Sequence, residues 1–145
     1  MTIRCEIISQ DRIVYQGDAD LVILPTVGGQ LGILPNHSPL LTKLEYGIIR
    51  VRQDGEEMIF TVAGGIVEVQ PDQVTVLADA AERLEEIDEQ RAEAAKSRAQ
   101  ELLNRGIDQD RDQYMAIWAA LRRSTLRLEA VRRYREGKEL RKKGS

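Results

Sequence analysis

Asp88, Arg91 and Arg98 are the residues of this chain whose types and spacing best suit binding chemistry. Residues three and four apart share a face of a helix, so IDEQRAEAAKSRAQELL sets one carboxylate and two guanidiniums, with Ala95 between them, along one flank. A planar guanidinium pairs bidentately with the oxygens of a phosphate or carboxylate, and such a flank suits an oxyanion. The same residues also read as a surface pair of Asp88 with Arg91, worth roughly a few tenths of a kcal/mol. Both readings stand at this level.

Other chemistry is thinly represented. With one His and one Cys in 145 residues there is no His-rich metal site, and His37 and Cys5 fall in different local settings, which argues against a nucleophilic pair. Gly64-Gly65 leads into Ile66-Val67 rather than Lys-Ser/Thr, so it reads as a bulge or close strand contact and not as a phosphate loop. Glu56-Glu57 and Glu85-Glu86 are neighbours at a turn and near a helix entry, where solvation is their expected role. No catalytic residue and no metal ligand is therefore expected.

A stiff loop is the other candidate site. In GGQLGILPNHSPLLT, residues 28–42, Gly28-Gly29 permit positive φ, Gln30 to Leu34 reads as a short strand, and Pro35 and Pro39 stiffen the run through Asn36, His37 and Ser38. A loop that is already rigid loses little entropy on docking, and His37, Leu40 and Leu41 offer a mixed polar and apolar contact. Equally, the leucines can simply enter a core.

These residues must be positioned by two kinds of element. Up to about Asp79 the apolar period is two, in Ile3/Cys5/Ile7, Leu21/Ile23, Ile49/Val51, Ile59/Thr61/Ala63, Val67/Val69 and Val74/Val76, which predicts an antiparallel β-sandwich. Gly47 is expected to open the strand IIRVRQ, Asp54-Gly55 to turn it, and Pro71-Asp72 to turn the last strand pair. At Ile87 the period changes. Asp88 is a plausible N-cap and Gly106 a natural C′ residue for a first helix. Asp108 can start a second helix, carrying Tyr114, Ile117, Trp118, Leu121, Leu128 and Val131 on one face. The short Gly-containing link predicts an antiparallel two-helix hairpin, and Ala92, Ala95 and Ala99 allow a close approach. The division falls at 1–86 for the sandwich and 87–145 for the hairpin. A second helix from about 108 to 136 would be about 40 Å long, so its end must project or lie along a partner.

Charge separates the halves further. Residues 1–86 hold 6 Lys/Arg against 14 Asp/Glu, net −8, whereas 122–145 hold 10 against 3, net +7. The basic end, with Arg122, Arg123, Arg127, Arg132, Arg133, Arg135, Lys138, Arg141, Lys142 and Lys143, suits an acidic partner; nucleic acid fits poorly because only Tyr134 is interleaved to stack on bases. No apolar run approaches the roughly 20 residues that cross a bilayer, so direct membrane insertion is not expected. Nor is a leader, since no basic or apolar segment precedes Ile3. Lone Cys5, on an alternating strand, is expected to be a small buried hydrophobe in a reducing compartment.

Taken in order, GxLGILPNHSPL and GGIVEVxPDxVTVLAD resemble the epsilon subunit of the bacterial F-type ATP synthase, over about Ile3 to Leu103. The resemblance implies a non-catalytic central-stalk subunit with partners in the gamma subunit and the polar loops of the c-ring, peripheral on the cytoplasmic face of the bacterial inner membrane. It implies that Gln30, His37, Ser38 and Pro39 face the c-ring, with Gln30 where family members often carry Glu. Ile87-Asp88-x-x-Arg91-Ala92 is similar to the motif by which some epsilon subunits bind ATP. On that likeness Glu82, Arg98, Arg123 and Arg127 join Ile87, Asp88, Arg91 and Ala92 in a regulatory ATP site, with no cofactor required. The basic helix, Arg122, Arg123, Arg127, Arg132 and Arg133, is implied to meet the beta and alpha subunits in an inhibited state. A free-standing ATP-sensing module and a plain dimerising scaffold are the alternatives from other classes.

Overall fold

The computed structural model describes residues 1–106 and 110–135. The chain divides into two compact units, Met1–Glu85 and the segment from Glu86 onward. The first is all β: β1 Ile3–Ile8, β2 Ile13–Ala19, β3 Leu21–Thr26, β4 Gly29–Ile33, β5 Leu40–Gln53, β6 Glu56–Val69, β7 Gln73–Ala78 and β8 Ala81–Arg83, closed by a single 3-10 turn at Leu84–Glu86. Hydrogen bonding orders them β2-β1-β7-β6-β5-β3-β4, with β8 pairing β6 off that path.

One pairing departs from the antiparallel expectation. β1 runs parallel to β7, with Cys5 opposite Val74 and Ile7 opposite Val76. Alternation specifies which residues point inward but not the direction of a distant neighbour, so a non-local parallel pair leaves no local mark. The inward set is Ile3, Cys5, Ile7, Val22, Leu24, Ile49, Val51, Phe60, Val62, Val67, Val69, Val74 and Val76, all buried. On β3 this reverses the phase read from the sequence: Val22 and Leu24 are inside and Leu21 and Ile23 only half-buried. LVIL is apolar on both faces and carries no phase of its own. On β6 the four residues Ile59 to Val62 are all buried: Phe60 and Val62 belong to the core cluster, and Ile59 and Thr61 alternate with them on the opposite face.

Turns at Asp54-Gly55 and at 70–73 fall as expected. Both Asp54 (φ 53) and Gly55 (φ 80) are left-handed, the backbone of a two-residue type I′ hairpin. Gly47 does not open a strand. It lies inside β5, where an added Cβ would come within 2.6 Å of the Pro25 Cβ, so its role is close approach rather than turning. Gly65 has φ +131 and a Cβ there would run into the carbonyl of Leu77, which makes Gly64-Gly65 the close strand contact that the sequence suggested.

The second unit is helical. Asp88 caps α1, Glu89–Asn104, its Oδ1 accepting the Arg91 N–H at 3.1 Å. Gly106 (φ +60) ends the turn beyond it, donating its N–H to the Leu103 carbonyl. α2, Arg111–Ala130, is capped by Asp110, which accepts the Gln113 N–H at 2.8 Å. Asp108, the start read from the sequence, lies outside the described residues, and the capping role belongs to Asp110. α2 alone is about 30 Å long, and with the helical turn that follows it the described run, 111–135, approaches the roughly 40 Å read from the sequence. A π-helical turn, Val131–Arg135, follows it.

Candidate functional site

Hydrogen bonds tie two connections of the β unit, the β3–β4 turn and loop 34–39, to other elements. The Asn36 N–H donates to the Pro71 carbonyl at 2.8 Å, tying loop 34–39 to the β6–β7 turn. The Val27 N–H donates to the Lys43 carbonyl at 3.1 Å, tying the β3–β4 turn to the first residues of β5. Thr26 Oγ1 donates to the Gly29 carbonyl at 2.6 Å and holds that turn from within. Asn36 sits at φ 65, a conformation that Asn tolerates better than most residues. Rigidity thus comes from hydrogen bonds to a second turn as well as from Pro35 and Pro39.

Gln30, Ser38 and Pro39 are exposed on these segments, and His37 is half-buried with Nδ1 2.7 Å from the Ser38 carbonyl, the geometry of a donated N–H. Leu41 is 69% exposed, so it does not enter the core, and Leu34 and Val27 are exposed as well. Sequence reasoning gave Asn36 and Leu34 no contact role and did not single out Val27. Leu34 had a signal, an apolar residue directly before a proline-stiffened polar run; Asn36 had none beyond its residue type.

On the helical unit the predicted set is spread along two helices. Asp88 and Arg91 are joined twice, by the cap and by a side-chain approach of 3.7 Å, both groups exposed. Ile87 and Ala92 are buried, and Arg98 is exposed seven residues beyond Arg91, about 10 Å along the same flank. Arg123 and Arg127 are half-buried on α2. Glu82 belongs to the first unit, on β8, within reach of a hydroxyl donated by Thr61 at 3.5 Å. Asp88, Arg91 and Arg98 are therefore exposed along α1 and its cap.

The face of α2 is less uniform than its periodicity. Leu128 and Val131 are buried, but Tyr114 and Trp118, in edge contact at 6.3 Å, and Met115 are about half exposed. Of the basic run, Arg122, Arg132 and Arg133 are exposed; Lys138, Arg141, Lys142 and Lys143 lie outside the described residues. Arg132 Nη2 reaches Glu93 Oε1 of α1 at 2.6 Å, and Arg135 Nη2 donates to the Ile87 carbonyl at 3.2 Å. The end of α2 thus lies against the start of α1, an antiparallel pair.

Titration adds one correction. Glu57 is no mere solvating group: it accepts from Arg50 at 3.1 and 3.0 Å and from Arg52 at 2.7 Å. Burial pushes its carboxyl up, but the hydrogen bonds of the two guanidiniums outweigh that and hold it below the ordinary carboxylate value. Burial pushes the Cys5 thiol up to about 12, with the Glu6 charge adding to it, which leaves the thiol unreactive. Among the described residues no group of His, Cys, Asp and Glu is placed to hold a metal, and no helix is long and apolar enough to cross a membrane.

A β-sandwich followed by a helical pair is the architecture of a known class of rotary-motor subunit. Residues 2–84 match the family model described as the ATP synthase delta/epsilon chain, beta-sandwich domain, and residues 85–132 match the delta/epsilon chain, long alpha-helix domain. The chain belongs to this family, among the ATP synthase epsilon chains. It is 43% identical over 136 residues to the ATP synthase epsilon chain of Alkalilimnicola ehrlichii, covering 92% of this chain and 95% of that one. Identity to the epsilon chain of Acidithiobacillus ferridurans is 46% over 136 residues, covering 94% and 95%. Among solved structures, a chain of the Euglena gracilis mitochondrial ATP synthase (OSCP/F1/c-ring, rotational state 1) has the same fold with a TM-score of 0.69 at 23% identity, over 83% of this chain and 76% of that chain.

Proposed function

We propose that the chain is a non-catalytic rotor subunit in which the sandwich couples the gamma subunit to the c-ring, so that proton-driven rotation reaches the catalytic head, while the hairpin regulates ATP hydrolysis. The observation that carries this reading is the division of labour within the chain: a rigid, hydrogen-bonded loop end on an acidic sandwich, and a separate helical pair whose contact residues are small and whose end is basic. Gln30, His37, Ser38 and Pro39 then face the polar c-ring loops, with Leu34 and Leu41 as apolar neighbours. Gln30 supplies a neutral hydrogen bond to the ring. Arg122, Arg123, Arg127, Arg132 and Arg133 meet acidic residues of the beta and alpha subunits when the hairpin opens. The complex works at the cytoplasmic face of the bacterial inner membrane, and the chain itself rests there peripherally.

Truncating the chain after Glu86 in the assembled synthase tests the regulatory half: ATP hydrolysis is expected to rise, and unchanged hydrolysis overturns it. Substituting Gln30 and His37 together with Ala tests the coupling half, where ATP-driven proton pumping is expected to fall relative to hydrolysis. Untouched pumping removes the c-ring assignment. Regulatory ATP binds along Asp88, Arg91 and Arg98 of the helical unit, with Arg123 and Arg127 of its second helix. Calorimetry at millimolar ATP decides this, because an absence of heat, or full binding after Arg91→Ala, ends the assignment.

A further inference from the structure

Side chains of the second helix are unequally covered along its length. Toward the Gly106 end, Tyr114, Met115 and Trp118 of α2 are half exposed, whereas toward the other end Ser124, Leu128, Ala130 and Val131 are buried. Small side chains on α1, Ala92 and Ala99, are its buried positions. At the closed end the backbone of α2 changes to a π-helical turn, Val131–Arg135, a distortion with i→i+5 bonds that alters the azimuth of the side chains it carries. Two of these side chains cross to α1. Arg132 forms an ion pair with Glu93 at 2.6 Å, and Arg135 donates to the carbonyl of Ile87, the residue immediately before the Asp88 cap.

We propose that the π-helical turn is a latch: Arg132–Glu93 and Arg135–Ile87 hold the base of the hairpin shut and at the same time occupy part of the basic end with groups of its own chain. Glu93 is thereby a positioning residue for the closed state. An acidic surface that would bind Arg132 must displace Glu93, so the intramolecular ion pair and an external acidic partner compete for one guanidinium. The pair is about half exposed at both side chains, so its contribution is modest and screened by salt. A modest contribution suits a latch, since a stronger one would hold the hairpin permanently closed. The closed-state contacts stand on geometry alone; the consequence for hydrolysis rests on the regulatory reading above.

The test uses the full chain with spin labels at Ser97→Cys and Glu129→Cys, both exposed positions; Cys5 is buried with a raised pKa, and native-state labelling spares it. Glu93→Gln is expected to raise the ratio of long to short interlabel distances about two- to five-fold. Arg132→Glu raises it at least as much, and the exchange Glu93→Arg with Arg132→Glu returns it to within about two-fold of the parent. Raising NaCl loosens the parent and leaves Glu93→Gln almost unresponsive. An unchanged ratio in Glu93→Gln, or no recovery in the exchange variant, overturns the latch. If the parent shows no measurable open fraction, the urea midpoint followed through Trp118 fluorescence replaces the ratio, with the same pattern of loss and recovery required. In the assembled synthase Glu93→Gln should deepen inhibition of hydrolysis. Opened distances with unaltered hydrolysis would leave the latch standing and count against the regulatory reading instead.

Discussion

The sandwich and the hairpin are made from different stock. The sandwich core is Ile, Val, Leu and Phe, fully buried in alternating positions on strands that each have neighbours to hydrogen-bond. The hairpin buries Ala92 and Ala99 on α1 and only a few larger side chains on α2, with the aromatic pair of Tyr114 and Trp118 half exposed. Burial stabilises by about 25 cal/mol per Å² of apolar surface, so a valine or leucine contributes far more than an alanine. The helical unit is thereby expected to open at a lower free-energy cost than the sandwich. The difference follows from side-chain area, with no special mechanism required.

The chain carries a reporter for each side of this comparison. Cys5, its only thiol, lies in the sandwich core, and Trp118, its only indole, lies on α2. The largest expected effect is from Phe60→Ala, which leaves a cavity beside Tyr15, whose ring centre is 5.4 Å away. A loss of about 3–5 kcal/mol should appear as accelerated Cys5 labelling, and labelling at the parent rate would refute the packing of Phe60 and Cys5 in one core. Next comes Ala99→Leu, which forces a large side chain into a buried alanine position of α1. A loss of about 1–3 kcal/mol should move the Trp118 transition while leaving Cys5 labelling unaffected, and a joint shift would mean the units are not independent. Asp88→Ala removes the α1 cap, worth about 1 kcal/mol, and should lower helicity by far-ultraviolet dichroism without touching the sandwich.

Smallest is Glu57→Gln, about 0.5–1 kcal/mol at pH 7, read from urea unfolding followed by thiol labelling. Its pH dependence has a definite sign. The folded state favours the ionised carboxylate, so the contribution is complete above the ordinary value of 4.5 and is lost as pH falls through the lower folded value. Parent and variant should therefore converge at strongly acidic pH, and a gap that widens on acidification would contradict the Arg50–Glu57–Arg52 arrangement.

Alternation made the β unit legible, and the switch of period at Ile87 made the helical unit legible, because burial on one face imposes a period of two or of 3.6 on any sequence. The motifs around residues 28–42 and 64–79 carried the family. What stayed hidden had physical causes. The phase of β3 was hidden because LVIL is apolar on both faces. Gly47 looked like a strand start because a glycine required by Pro25 against β5 has the same letter as a glycine required by a turn. Asp108 lies outside the described residues, and what identifies Asp110 as the cap of α2 is the hydrogen bond it accepts from the Gln113 N–H.

By itself the sequence determined two units, their secondary structure, the stiff loop with His37 and the charged flank of Asp88, Arg91 and Arg98, since each depends on residues near one another in the chain. Tertiary structure alone decided the parallel union of β1 with β7, the tie from Asn36 to Pro71, and the crossing of Arg132 and Arg135 to α1. These join residues some 35 to 70 positions apart, where no local period or propensity records which partner will be found, and only the closing of the fold brings donor to acceptor.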